Sequence, residues 1–254
     1  MKKYTKLVLL AMLALGLIVF AAGCGGEKAA EGDKVIVGTE AAYAPFEWQE
    51  DGEILGFDAE IIQAIVKEMG AELEHNHVAW DALYPSLNNG SIEAVISAMT
   101  ITEEREEEVD FSDPYFEAMQ IIALPDGSTI AGLEDLVGKK VGVQANTTGQ
   151  YALEELDGMK DGDIQKYPTT PDAMMALATG ELAAVVADSP VVLNYIKTNP
   201  EANLKTVTDD FDKEYYGIAV KQGNTELLEK INAALSTIKE NGKYDEIYNK
   251  YFGE

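Results

Sequence analysis

One cysteine, Cys24, stands in a chain of 254 residues, so no disulfide can close within it. Histidine is nearly as scarce. His75 and His77 fall on one face of an expected strand, which is ligand geometry, but no third histidine exists to complete a site, and neither a metal nor another cofactor is expected. The chain has no Ser, His and Asp set at plausible strand ends and no glycine-rich phosphate fingerprint, so catalysis is not expected. Basic residues are few: 19 Lys and Arg against 45 Asp and Glu, a formal charge of −26. Such a field repels nucleic acid and anionic membrane and favours cationic solutes near the surface, so no nucleic-acid partner is expected.

The chain has one long apolar run. Lys2, Lys3 and Lys6 precede it, and it extends over residues 7–22, short for a bilayer span and right for an export signal. Ala21-Ala22-Gly23-Cys24 resembles the lipobox of bacterial lipoproteins, with Ala21 where leucine is usual. The resemblance implies a signal peptide over residues 1–23, lipidation of Cys24, and a small, polar tether over 24–33. It places the protein outside the cytoplasm, lipid-anchored to the outer face of the cell membrane.

The remainder reads as soluble and globular, and it repeats itself. Leu87-Asn88-Asn89-Gly90-Ser91-Ile92-Glu93-Ala94-Val95-Ile96-Ser97 is echoed without a gap by Leu177-Ala178-Thr179-Gly180-Glu181-Leu182-Ala183-Ala184-Val185-Val186-Ala187. Each copy reads as a helix end, a glycine in the left-handed cap position and a short apolar strand. Upstream, Gly32-Asp33-Lys34-Val35-Ile36-Val37 resembles Gly138-Lys139-Lys140-Val141-Gly142-Val143. Two echoes in the same order point to duplication, hence to two similar α/β lobes facing each other across a cleft.

Strands are expected over residues 34–38, 72–79, 93–97, 119–124, 140–144, 164–167 and 183–187. Helices are expected over 58–69, 81–89, 102–108, 149–156, 171–178, with Thr170 as cap and Pro171 first in the helix, and 190–197. Leu227, Leu228, Ile231, Leu235 and Ile238 form an apolar stripe that, with residues 244–252, should pack on the first lobe. The expected division is a discontinuous lobe 1 over 34–114 and 218–254, lobe 2 over 120–212, and a hinge made by two crossings at 115–119 and 213–217.

Chemistry is sought just past the strand ends. Arg105 lies in the first turn of the helix started by Thr102, where the dipole is positive. Two readings stand: a solvated network with the surrounding glutamates, or a bidentate clamp on a carboxylate. Asn146-Thr147-Thr148-Gly149 joins a strand to a helix, and its N–H groups can cap that helix or cradle an anion. Asp188 is either a helix-start residue or a carboxylate left for an ammonium group, with the stretch Ser97 to Thr100 opposite it. Glu40, Tyr43 and Trp80 suit a cationic or amide side chain, although aromatics near strand ends commonly serve packing.

Thr39-Glu40-Ala41-Ala42-Tyr43-Ala44-Pro45-Phe46-Glu47, Gly56-Phe57-Asp58, Met99-Thr100-Ile101-Thr102-Glu103-Glu104-Arg105, Asp110-Phe111-Ser112-Asp113-Pro114-Tyr115, Val141-Gly142-Val143-Gln144 and residues 244–252 together resemble the bacterial extracellular solute-binding proteins for polar amino acids, family 3. The resemblance runs from about Lys34 to the end. It implies a two-lobed α/β fold like that of periplasmic binding proteins, each lobe a mixed, mostly parallel sheet flanked by helices, with two hinge crossings. Arg105 would grip the ligand carboxylate, helped by N–H groups at Thr100 and Thr148. Asp188 would take the α-ammonium, assisted by the carbonyl of Ala98 in the stretch that Ser97 begins.

Tyr43 and Trp80 would sandwich the side chain, and Glu40 occupies a position that is acidic in binders of basic amino acids and of glutamine. The Thr39-Glu40-Ala41 run looks most like the arginine-binding members. Asn146 replaces the family's usual glycine and leaves the role of Thr147 open. The implied function is that of a monomeric binding component of an ABC importer, capturing L-arginine or another basic amino acid for a permease and ATPase complex. The alternatives are glutamine as ligand, or a cyclohexadienyl or arogenate dehydratase on the same fold.

Overall fold

The computed structural model describes residues 33–253, so the expected signal, Cys24 and nearly all of the tether lie outside the described part. Among the described residues no helix is long and apolar enough to cross a membrane.

The chain begins with β1 (Lys34–Thr39) and a meander of β2 (Ala42–Tyr43), β3 (Glu47–Glu50) and β4 (Glu53–Leu55). Helix α1 (Phe57–Glu68) buries Ile61, Ile62, Ile65 and Val66 along one face, with Asp58 and Glu60 at its positive end and Lys67 at its negative end. There follow β5 (Glu72–His77), a 3₁₀ turn at Trp80–Ala82, α2 (Leu83–Asn89), β6 (Ala94–Val95), α3 (Glu103–Glu106) and β7 (Val109–Phe111). Strand β8 (Phe116–Pro125) leads to β9 (Val141–Gln144), α4 (Thr148–Glu154), β10 (Ile164–Tyr167), α5 (Thr170–Ala178), β11 (Ala184–Asp188), α6 (Ser189–Thr198) and β12 (Leu204–Val207). The chain returns through β13 (Lys213–Tyr216) to β14 (Ala219–Lys221), α7 (Thr225–Glu240) and α8 (Lys243–Phe252).

These strands make two lobes. One sheet has the order β5-β1-β6-β14-β7 and the other β10-β9-β11-β8-β12. In each, three parallel strands are extended by antiparallel ones. Two strands connect the lobes: the first residues of β8 pair with β13, from Phe116–Tyr216 to Met119–Lys213, and from Gln120 onward β8 belongs to the second sheet. Helices α7 and α8 pack against α1, with Ile231, Leu235, Ile238 and Ile247 in the same core as Val35, Val37, Phe46 and Phe57. The second lobe has cores on both sheet faces, around Met174 and Leu177 and around Ile122 and Leu136.

The duplicated grammar is present, since Gly90 and Gly180 both end helices with positive φ, 77° and 82°. The upstream echo is out of step by two residues. It pairs Val35 with Val141, whereas the sheet register equates Val37 with Val141, because Val37 faces Ala94 and Val141 faces Ala184. An even shift keeps every side chain on its own face, so the apolar pattern of the sequence could not distinguish the two alignments. The corrected register makes Gly38 equivalent to Gly142 and Glu40 equivalent to Gln144. A Cβ on Gly38 would lie 2.6 Å from Ile92, and one on Gly142 would lie 2.4 Å from Leu182, the same position of the repeat.

One cap differs from expectation. Thr169, not Thr170, caps α5 by accepting the N–H of Asp172 at 3.3 Å. The Thr170 hydroxyl is thereby released, and it donates to the side-chain oxygen of Gln144 at 3.0 Å.

Candidate functional site

Between the lobes lies a cavity of about 400 Å³, including its open mouth, lined by strand ends and by the turns that follow them. All ten residues singled out in the sequence border it: Glu40, Tyr43, Trp80, Ser97, Ala98, Thr100, Arg105, Thr147, Thr148 and Asp188.

Arg105 is not part of a solvated network with the glutamates around it. It is 7% exposed, while Glu103, Glu104, Glu106, Glu107 and Glu108 around it are exposed. Thr102 caps the short α3 by accepting the Arg105 N–H at 3.2 Å, which turns the arginine side chain inward. One guanidinium nitrogen, Nη1, donates to the Thr100 carbonyl at 2.8 Å, and Nη2 reaches the Asn146 carbonyl of the other lobe at 3.3 Å. The indole of Trp80 covers the guanidinium, with Cζ 5.4 Å from the ring centroid. Trp80 Nε1 also donates to the Asn146 carbonyl at 3.1 Å. Here, then, Trp80 stacks on Arg105 itself.

Asn146 takes the left-handed conformation, φ 60°, which asparagine tolerates better than most residues, so the turn forms here without a glycine. Thr147 begins α4 with its hydroxyl turned back to the Gln144 carbonyl at 2.8 Å.

Asp188, 5% exposed, sits at the end of β11 and accepts the Tyr43 hydroxyl at 2.8 Å. It also accepts the Tyr216 hydroxyl and an amide N–H of Gln120. Burial, followed by the charge of nearby Glu214, raises its carboxyl to about 6. Glu40, 4% exposed, accepts Gln144 Nε2 at 2.7 Å across the cleft, and burial lifts its carboxyl to about 7.

Several cleft residues escaped the reading of the sequence. Gln120, Gln144, Thr170 and Ala187 line the cavity. Glu214, on β13, bridges the lobes by accepting the hydroxyls of Thr100 at 2.6 Å and Thr148 at 3.0 Å, and an N–H of Gln120 at 3.0 Å. The duplication could have found Gln144, the counterpart of Glu40, had the upstream register been right, and its downstream echo already pairs Ala187 with Ser97. His75 and His77 lie away from the cleft. Burial pushes His75 down to about 4, and His77 Nδ1 accepts the Ala41 N–H at 3.1 Å.

Residues 35–254 match the bacterial extracellular solute-binding proteins, family 3. The chain belongs to this family. A probable histidine-binding protein of Neisseria gonorrhoeae is 39% identical to this solute-binding protein, over 96% of this chain and 94% of its own. Among solved structures, the arginine-, lysine-, histidine-binding protein ArtJ of Geobacillus stearothermophilus matches with a TM-score of 0.84 and 44% identity, covering 87% of this chain and 96% of its own. An ancestral arginine-binding protein bound to arginine matches with a TM-score of 0.83 and 45% identity, over 88% of this chain and 100% of its own. An ancestral arginine-binding protein bound to glutamine gives 0.82 and 46%, over 87% and 98%.

Proposed function

We propose that this solute-binding protein captures L-arginine or another basic amino acid by closure of its lobes and delivers it to an ABC-type permease and its ATPase. One observation carries the reading. A single cavity holds a buried guanidinium, Arg105, without a carboxylate partner, and two buried carboxyls, Glu40 and Asp188, without a basic partner among the ion pairs of the described residues. Buried charges are costly until paired. A basic amino acid supplies all three complements: its carboxylate to Arg105, its α-ammonium to Asp188 and the Ala98 carbonyl, and its side-chain cation to Glu40.

In this scheme the backbone N–H groups of Thr100 and Thr148 assist Arg105, and Tyr43 and Trp80 wall the pocket. The crossings at residues 115–119 and 213–217 serve as the hinge, and lipidated Cys24 holds the monomeric protein at the outer face of the cell membrane. The names of the relatives, which include arginine, lysine and histidine as ligands, support the basic class. A ligand that binds only the folded state raises its melting temperature by mass action. A thermal-shift screen of the twenty amino acids should therefore give its largest rise with arginine, lysine or histidine. A larger rise with glutamine or an acidic amino acid would reject the basic preference.

A further inference from the structure

Beneath the Ser97-Ala98 wall of the cleft lie two carboxyl groups that contact no ligand atom in the scheme above. Glu47, on β3, and Asp58, in the first turn of α1, are both 0% exposed. No basic group neutralises either, and one oxygen of each, Glu47 Oε2 and Asp58 Oδ1, is buried without a hydrogen-bond partner; the two carboxyls lie within hydrogen-bonding reach of each other, and the Asp58 N–H donates to the carbonyl of Phe46, next to Glu47, at 2.9 Å. Their other oxygens are engaged with the wall. Glu47 Oε1 accepts the Ser97 hydroxyl at 2.9 Å, and Ser97 Oγ in turn accepts the Glu40 N–H at 3.0 Å. Asp58 Oδ2 accepts the Ala98 N–H and the Tyr115 hydroxyl, both at 2.7 Å. Ala98 has φ 45°, a left-handed conformation that a residue with a side chain adopts only when its surroundings impose it.

We infer that Glu47 and Asp58 share one proton, Glu47 Oε2–H donating to Asp58 Oδ1, and that this acid–carboxylate pair positions the Ser97-Ala98 cradle. The assignment satisfies every atom. Protonated Glu47 keeps a carbonyl oxygen for Ser97, and ionised Asp58 accepts from Glu47, Ala98 and Tyr115. Two adjacent buried carboxylates would repel each other, whereas one shared proton leaves a single charge surrounded by donors. Burial, and then the neighbouring Asp58 charge, hold Glu47 well above the usual carboxylate range. The groups facing the pair are Glu40, Tyr43, Tyr115 and Tyr244, none of them cationic. Both residues are positioning residues. Their effect on the ligand passes through the Glu40 N–H and the Ala98 carbonyl, and that part rests on the function proposed above.

The test uses the full chain with Glu47→Gln, Glu47→Ala and Asp58→Asn. Infrared difference spectra at about pH 8.5, where the Glu40 and Asp188 carboxyls are ionised, should show a protonated-carboxyl C=O band that Glu47→Gln removes. Melting should agree in sign: a carboxyl raised in the folded state loses stability as pH rises from its unfolded value toward its folded one. Glu47→Gln, which keeps both hydrogen bonds but cannot titrate, should flatten that decline and bind amino acids within about threefold of wild type. Glu47→Ala and Asp58→Asn should both lower the melting temperature and weaken binding. Absence of the band in wild type, its persistence in Glu47→Gln, or an unchanged pH slope would overturn the shared proton. Band and slope need no ligand, so they fail separately from the functional reading.

Discussion

Arg105 concentrates the problem of reading a site from residues. Five glutamates within three positions of it argue for a solvated charge network, and a four-residue helix carries no periodicity that could say which side chain turns inward. The decision comes from Thr102, whose cap sets the start of α3, and from Trp80, which closes over the guanidinium. Neither contact is visible at the level of spacing. Replacement by alanine removes the only basic group lining the cavity. Truncating one partner of a buried charge pair costs about 2–5 kcal/mol. Arg105→Ala is therefore expected to weaken every amino acid by at least about thirtyfold in calorimetry, with circular dichroism unchanged. Loss confined to basic ligands would move Arg105 away from the carboxylate.

Charge, aromaticity and a strand-end position mark a residue as chemistry-bearing in the sequence. An amide in a strand carries no such mark, yet Gln120 ties Asp188 to Glu214 and Gln144 ties Glu40 to Thr170. Glu214 has no contrast either, being one more acid in so acidic a chain.

Among elements, the strand–helix–strand repeat was legible, and its register was not. Helix ends at Gly90 and Gly180 are set by local grammar, whereas the pairing of β1 with β6 and of β9 with β11 depends on contacts between distant residues. The paired glycines fix that register physically. Gly142 admits Leu182, and Gly38 admits Ile92, so each strand lies close against the side chain that precedes its neighbour. Overpacking a core of this kind costs about 1–3 kcal/mol. Gly142→Ala should lose stability in that range in urea melts. Leu182→Val in the same chain should recover part of the loss, a coupling that a double-mutant cycle reads directly. Additive losses would mean that the two residues do not share the space.

At the scale of the whole molecule, two similar sheets joined by β8 and β13 place unlike charges on facing walls. The first lobe brings Arg105 and Glu40, and the second brings Asp188. The lobes already touch through Tyr43 to Asp188, Gln144 to Glu40 and Arg105 to Asn146, so a ligand must enter an opened form and be enclosed as these contacts are exchanged for its own. The two-lobed fold was legible because duplication is written in the chain. The degree of closure was not, since it depends on side chains meeting across a gap.

A Glu40 that receives the ligand's cation, as proposed, makes binding depend on pH, because its carboxyl is raised to about 7. A cationic side chain binds the ionised form, so arginine must displace a proton below that value, and its affinity should rise about tenfold between pH 6 and pH 8. Asp188, at about 6, adds roughly a twofold rise for any amino acid, because it meets the α-ammonium they all share. Calorimetric titration with L-arginine and L-glutamine at both pH values, in buffers of different ionisation enthalpy, tests this directly. Arginine should bind more tightly than glutamine, with a proton released near pH 6 and an advantage that widens with pH. Tighter binding of glutamine, or an arginine affinity that does not change with pH, would contradict it.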